Sequence, residues 1–536
     1  MRLSAYVVIV SIASSLCPMT LATARAEVNK ACYDNTDATA CKPLVDIQLP
    51  RTATSTYDQL YRSYAELAWQ DFLSLSIPAP EDIVADAGSK EPPQKPTLGY
   101  YVHARGNGLP FVPKWLNFIS ATDLFPDKGG KPNFQPRILP QKCSDLSMGD
   151  LPVLDEYVQA NRMGPVVDQQ GHFLRFGIGF NKVMYDYVTR DENKLYNTAG
   201  QEKFDEKHER DKYTKQVIQW PTSNYTSENE IEAGSIFVKS AWMILGFMDK
   251  AGAKIEYYSE DRRKEYFITR AYIYTPKTVD AQTTRSAPFI GETRIDDDQC
   301  IVADVGLVGL HIVHRTPSAP QWVWATFEHK DNAPLVNELL PADAHFNLFG
   351  SGKCSTANGH HSDCNQLPQH PWNPGVDKAK PVPSQIVRTF RSGSMAAEVN
   401  TEVGNNLKNI DGPWKNYFLV DTQFPTVVKD EGGGKWSENS AYPDGMPTPS
   451  FLANSTMETY VQGLLSKQTS NGDTIPSEDT MQILSGPAPQ DTHGVSGGVQ
   501  RVTSSCVSCH YDATTTTGTS SNFVFSLSRA KSPQKQ

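Results

Sequence analysis

Apolar residues recur at two periods along this chain, and the changes between them mark its elements. Between 57 and 75, Leu60, Tyr64 and Leu67, with Tyr61, Ala68 and Phe72, fall at the three-to-four spacing of an amphipathic helix, which Pro78 and Pro80 end. Residues 78–98 and 121–150 are rich in proline and charge and read as surface loops rather than as linkers between independent domains. Over 172–180 the period drops to two, with Leu174, Phe176, Ile178 and Phe180 alternating as in a strand; a helix with Val183, Met184, Tyr187 and Val188 follows from about Asn181. The stretch 189–231 is dominated by charge, and its run Glu206-Lys207-His208-Glu209-Arg210-Asp211-Lys212 reads as a solvated surface insertion. Branched and aromatic residues bounded by turn signals predict strands over 236–245, 266–275, 300–315 and 321–329. No regular helix separates them, so a largely antiparallel sheet is expected. After a Gly/His/Pro loop at 350–384 the pattern turns helical. Ala396, Val399, Val403 and Leu407 mark one helix, 414–421 a strand, and Ser455-Thr456-Met457-Glu458 a capping box that opens a helix through Leu465. The expected fold class is therefore α+β: a central, largely antiparallel sheet region with surrounding helices and long loops. No internal repeat is visible.

The ends of the chain change this picture. Met1-Arg2, an apolar core over 6–16 and Ala24-Arg25-Ala26 follow the order of a secretory signal peptide, with cleavage expected after Ala26. Leu16 before Cys17 argues against lipoprotein processing, and no later segment has the ~18 uninterrupted apolar residues of a membrane span. The expected divisions are a signal peptide at 1–26, an α+β body at 27–485 and a C-terminal segment at 486–536 packed on that body. Loss of 1–26 removes two arginines and no acid, moving the formal charge from −10 to −12, which argues against nucleic acid or anionic membrane as a partner. Besides Cys17 and a C-terminal pair, six cysteines remain: Cys32, Cys41, Cys143, Cys300, Cys354 and Cys364. In an oxidising compartment they read as three disulfides. Short loops close at least entropic cost, which favours Cys32–Cys41 and Cys354–Cys364 and leaves Cys143–Cys300. A metal site from Cys354, His360, His361 and Cys364 is the alternative.

The strongest chemical signal is Ser504-Ser505-Cys506-Val507-Ser508-Cys509-His510-Tyr511. Cys-x-x-Cys-His is the spacing at which two thiols add to haem vinyl groups while the adjacent imidazole reaches the iron, so Cys506, Cys509 and His510 form one unit. A thioredoxin-like dithiol needs a strand-to-helix context that is missing here, and a zinc site needs a second ligand pair. Only 26 residues follow His510, among them a Thr/Ser/Gly stretch and the apolar run Asn522-Phe523-Val524-Phe525-Ser526-Leu527. They are too few to cover a porphyrin, so its pocket and any second axial ligand must come from upstream. The distal-ligand candidates are His311, His314, His329 and Met457, with His493 behind them. In strand geometry His311 and His314 face opposite sides, as do Glu328 and His329. Gly494-Val495-Ser496-Gly497-Gly498 matches a hydrolase motif but lies in loop on both sides, and Gly432-Gly433-Gly434-Lys435 lacks the ending of a phosphate loop.

With these segments in hand, the chain resembles bacterial exported proteins described as cytochrome c family proteins, with a single C-terminal Cys-x-x-Cys-His motif. The matching pieces are Ala68-Trp69-Gln70-Asp71-Phe72-Leu73, Val238-Lys239-Ser240-Ala241-Trp242, 306–316, 322–334, 414–425, 452–462, Cys506 to His510 and 522–530. The resemblance implies c-type haem binding and transfers roles only to Cys506, Cys509 and His510; it implies no substrate. The expected function is that of a periplasmic redox protein passing electrons through one covalent haem c. The alternatives are a haem enzyme, peroxidase- or oxygenase-like, and a non-catalytic haem sensor or binding protein. The expected partner is a periplasmic redox protein or a small-molecule substrate.

Overall fold

The computed structural model describes residues 28–34, 37–47, 57–78, 97–98, 112–134, 143, 151–154, 156–157, 165–210, 217–227, 230–248, 254–256, 258–275, 299–336, 338–341, 343–350, 354, 364–366, 382–389, 391–426, 446–447, 452–460, 462, 467–468, 474–475, 506, 510 and 513–534. The signal-peptide expectation at 1–26, His360 and His361, the hydrolase-like motif with His493, and Cys509 lie outside the described residues.

The strands are β1 (Ile119–Ser120), β2 (Val153–Leu154), β3 (Arg175–Phe180), β4 (Ser223–Ser227), β5 (Glu230–Ala233), β6 (Ile236–Met248), β7 (Lys254–Glu256), β8 (Ile268–Thr275), β9 (Gln299–Thr316), β10 (Ala319–His329) and β11 (Tyr417–Gln423). Nine of them form one sheet whose main path is β1-β3-β6-β9-β10-β11, with β7 on β6, β8 on β9 and β2 on β8. Every pairing in this sheet is antiparallel except β2 with β8. The protein is thus an α+β structure on a mixed, mostly antiparallel sheet.

Strand β9 is the axis. One edge pairs with β6, while the other is shared, first by β8 as far as Gly306 and then by β10 from Gly309. Both faces of β9 are covered, which is why its sequence is almost continuously apolar rather than strictly alternating. On one face, Leu310 and Ile312 pack with Trp69, Phe72, Ala325 and Phe327 in the largest core cluster. Helix α1 (Tyr57–Ser76) supplies that cover, with the helix at Ser394–Leu407 beside it. On the other face, Val313 packs with Phe180, Phe237, Trp322 and Trp324.

That second cluster is completed by the C-terminal residues Phe523, Val524, Leu527 and Ala530. They are fastened by helix α3 (Thr198–Lys207), which comes after α2 (Lys182–Thr189). Gln201 Nε2 donates to the Leu527 carbonyl (2.8 Å), its Oε1 accepts from the Thr516 amide (2.9 Å), and Thr519 Oγ1 donates to Asp205 (2.7 Å). Trp220 Nε1 donates to the Ser521 carbonyl at 3.1 Å and Asn522 Nδ2 to that of Ile218 at 2.9 Å. The described part of the charged run, 206–210, is exposed or partly so, as expected, while just before it Gly200, Gln201, Phe204 and Asp205 are buried and seat the tail.

Two further expectations change. The strand expected at 414–421 begins with a 3-10 turn at Trp414–Asn416 before β11. The helix expected from Ser455 is a turn among the described residues, because its cap-forming side chains are used elsewhere. Ser455 donates its amide and hydroxyl to Glu328 (both 2.6 Å), and Asn454 accepts from the Thr456 amide at 2.9 Å. A Cβ on Gly309 would stand 2.3 Å from Thr456 Oγ1, so glycine lets this turn lie directly on β9.

Cys32–Cys41, Cys143–Cys300 and Cys354–Cys364 are disulfide-bonded, the pairing that loop closure favours, and the last engages both thiols of the alternative metal site. Among the described residues no helix is long and apolar enough to cross a membrane.

Candidate functional site

The register of the sheet aligns Ile178 of β3, Lys239 of β6 and His311 of β9 in one row. These three are partly exposed on a face that is otherwise buried around them. On one flank stand Phe180, Phe237, Val313 and Trp324; on the other, Phe176, Ala241, Met457 and Tyr460. The row is the open floor between these two apolar clusters.

The C-terminal motif comes down beside this floor. Cys506 is partly buried against the cluster that holds Trp324 and Phe523. The His510 ring lies 4.6 Å from Trp324 and 4.9 Å from Phe525 between centroids. Trp324 pairs with Val313, two residues from His311 along the same strand face, so His510 is set next to His311. Burial holds the His510 imidazole below its ordinary pKa, and the neighbouring charges of Lys239 and His311 add to this, opposed by its hydrogen bond to Phe523 and by Glu458. His510 Nδ1 is 2.7 Å from the Phe523 carbonyl oxygen. A carbonyl only accepts, so Nδ1 carries the proton and the neutral ring keeps its lone pair on Nε2. The carbonyl is aimed by two successive left-handed residues, Asn522 (φ 52°) and Phe523 (φ 71°), an arrangement that non-glycine residues hold only when their surroundings enforce it. Here the enforcing contacts are the bonds of Ser521 and Asn522 to Trp220 and Ile218.

The four distal candidates are placed very differently. His311 Nε2 meets Glu458 Oε1 at 3.0 Å, and Glu458 Oε2 accepts from the Asn454 amide at 3.0 Å. Burial alone would raise the Glu458 carboxyl, but His311, with help from Lys239, carries it below its ordinary value. His314 is on the opposite face, buried with Asp71 of α1 at 2.8 Å. His329 is also buried away from the row: Nε2 donates to the Glu265 carbonyl (3.0 Å), Nδ1 accepts from the Asp331 amide (3.2 Å), and the ring stacks on Tyr266 at 4.2 Å. Both of its nitrogens are thereby engaged. Met457 is fully buried with Met243, Val308 and Tyr460 in the apolar flank. Of the four, only His311 stands on the partly exposed floor beside His510.

Two members of the site carry no signal in the sequence. Lys239 is the one charged residue of β6, and only strand register sets it beside His311. Phe525 belongs to a run that reads as core, yet it is 41% exposed while touching His510. Compared with models of protein families, with curated proteins and with solved structures, the chain has no match in any of the three. The reading of the site therefore rests on its own residues.

Proposed function

We propose that the protein binds one haem c, held covalently by Cys506 and Cys509 with His510 as axial iron ligand, and that it works as a periplasmic electron carrier. The observation that carries this reading is the orientation of His510. Metal-ligating histidines almost always donate their second ring N–H to a carbonyl or carboxylate, which fixes the ring and raises its basicity. The Phe523 carbonyl does this for Nδ1, leaving the lone pair on Nε2 for the iron. The residues nearby suit the group: Phe525, 41% exposed beside the His510 ring, offers apolar surface that a porphyrin would cover, and the buried rings of Trp324 and Phe523 back the same wall. When bound, the haem supplies a one-electron iron couple. The chain's part is to hold the ring nitrogen in place, keep water off the walls and set the local charge. The amino-terminal export pattern and three disulfides support an oxidising compartment outside the cytoplasm. The His311–Glu458 pair beside His510 favours, as a second reading, a haem-dependent oxidoreductase in which that pair moves protons.

Expression with a cytochrome c maturation system tests both. Covalent haem should survive acid-acetone extraction and denaturing electrophoresis and add one haem to the mature mass; extractable haem ends the proposal. In the intact protein, a six-coordinate reduced spectrum supports the carrier, and a high-spin iron that binds carbon monoxide supports the enzyme.

A further inference from the structure

Lys239 is a cation that shares the field of Glu458 but that no described carboxylate meets at ion-pair distance. It lies partly buried in the middle of a sheet face, flanked in register by Ile178 and His311. Its Nζ stands 5.4 Å from the centre of the Phe176 ring, a contact that attracts a cation without neutralising it. Among the described residues no carboxylate oxygen approaches Nζ within the 4.0 Å of an ion pair. The acid whose charge it feels, Glu458, has both oxygens occupied, one by His311 and the other by the Asn454 amide. Partly withdrawn from water and set between Ile178 and His311, the ammonium keeps N–H donors that no described carboxylate takes up.

We propose that Lys239 is an anion-binding residue of this site, its partner an oxyanion that arrives from outside the chain. The proposal rests on the haem reading above. One such anion is a propionate of the porphyrin itself; the other is a free small oxyanion drawn to the haem's side of the sheet. In both cases the Lys239 ammonium donates to carboxylate-type oxygen, and His311, held in place by Glu458, forms the neighbouring wall.

The test compares intact haem-loaded wild type with Lys239→Met and Lys239→Arg, using the haem midpoint potential and an optical titration with sodium nitrite, while melting curves monitor the fold. If a propionate is the partner, Lys239→Met lowers the potential, Lys239→Arg retains it, and nitrite leaves the spectra unchanged. If a free anion is the partner, nitrite gives a saturable spectral shift in wild type, at least tenfold weaker in Lys239→Met and recovered in Lys239→Arg. A Met variant that keeps its haem with the potential and nitrite response of wild type overturns the proposal, as does a change that arginine fails to recover. Wild-type protein without covalent haem overturns the haem reading and this inference together.

Discussion

Strand β9 carries two histidines three positions apart, each bound to a carboxylate, and the two pairs do different work. His314 with Asp71 and His311 with Glu458 have nearly the same separation, 2.8 and 3.0 Å. The first is sealed beneath α1, with both side chains 1% exposed; the second is 12% and 15% exposed and faces the C-terminal motif. The chemistry of the pair is therefore not what distinguishes a structural histidine from a site histidine. Its cover is. On the sealed face the pair satisfies groups that burial has cut off from water, while on the open face the same pair stands beside the Lys239 ammonium and an oriented imidazole.

If that contrast holds, removing the acid should matter most on the sealed face. Asp71→Ala leaves His314 buried without its partner and should cost about 4 kcal/mol in urea unfolding, with no change in the spectrum of attached haem. Equal losses for Asp71→Ala and Glu458→Ala would erase the comparison. The sealed face also holds His329, whose pKa burial pushes down to about 3 from 6.5. Below pH 6.5 the unfolded chain binds a proton that the native imidazole refuses, so this contribution to stability, on the order of a few kcal/mol, is lost as pH falls from 6.5 toward 3. His329→Gln should flatten that limb of the stability–pH curve; an unchanged slope would show that another group causes it. Glu458→Ala, on the open face, should cost about 2 kcal/mol and, in haem-loaded protein, shift the Soret band, since it releases His311 beside the proposed haem. Phe525→Ser should have the smallest effect on stability, because the ring is 41% exposed. Its expected effect is easier loss of non-covalent haem from a Cys506→Ala, Cys509→Ala double variant, measured by transfer to apomyoglobin.

The sheet was legible in the sequence because its central strands bury both faces and so run nearly uninterrupted in branched and aromatic residues. The opposite orientation of His311 and His314 followed from strand geometry alone, and register bears it out. What could not be read was cover. Nothing local distinguishes the face that receives α1 from the face that receives the tail, so His311, His314 and His329 looked equivalent. The turn at 452–460 misled for a related reason: Ser455 and Glu458 have the spacing of a helix cap, but Glu328 takes the Ser455 hydroxyl and His311 one oxygen of Glu458, both more than a hundred residues away, while the other oxygen accepts from the Asn454 amide. Lys239 was invisible because one lysine in a strand reads as an outward-facing polar residue until its cross-strand neighbours are known.

The bond from His510 to the Phe523 carbonyl spans thirteen residues in the direction of synthesis. The thiols and the imidazole emerge before the group that orients them. A polypeptide interrupted between 510 and 523 would carry every atom needed for covalent attachment and still present an unaligned ligand to the iron. With the proposed haem attached, the docked tail would couple ligand alignment to folding: a properly oriented His510 would report that residues 521–523 are seated on Trp220 and Ile218.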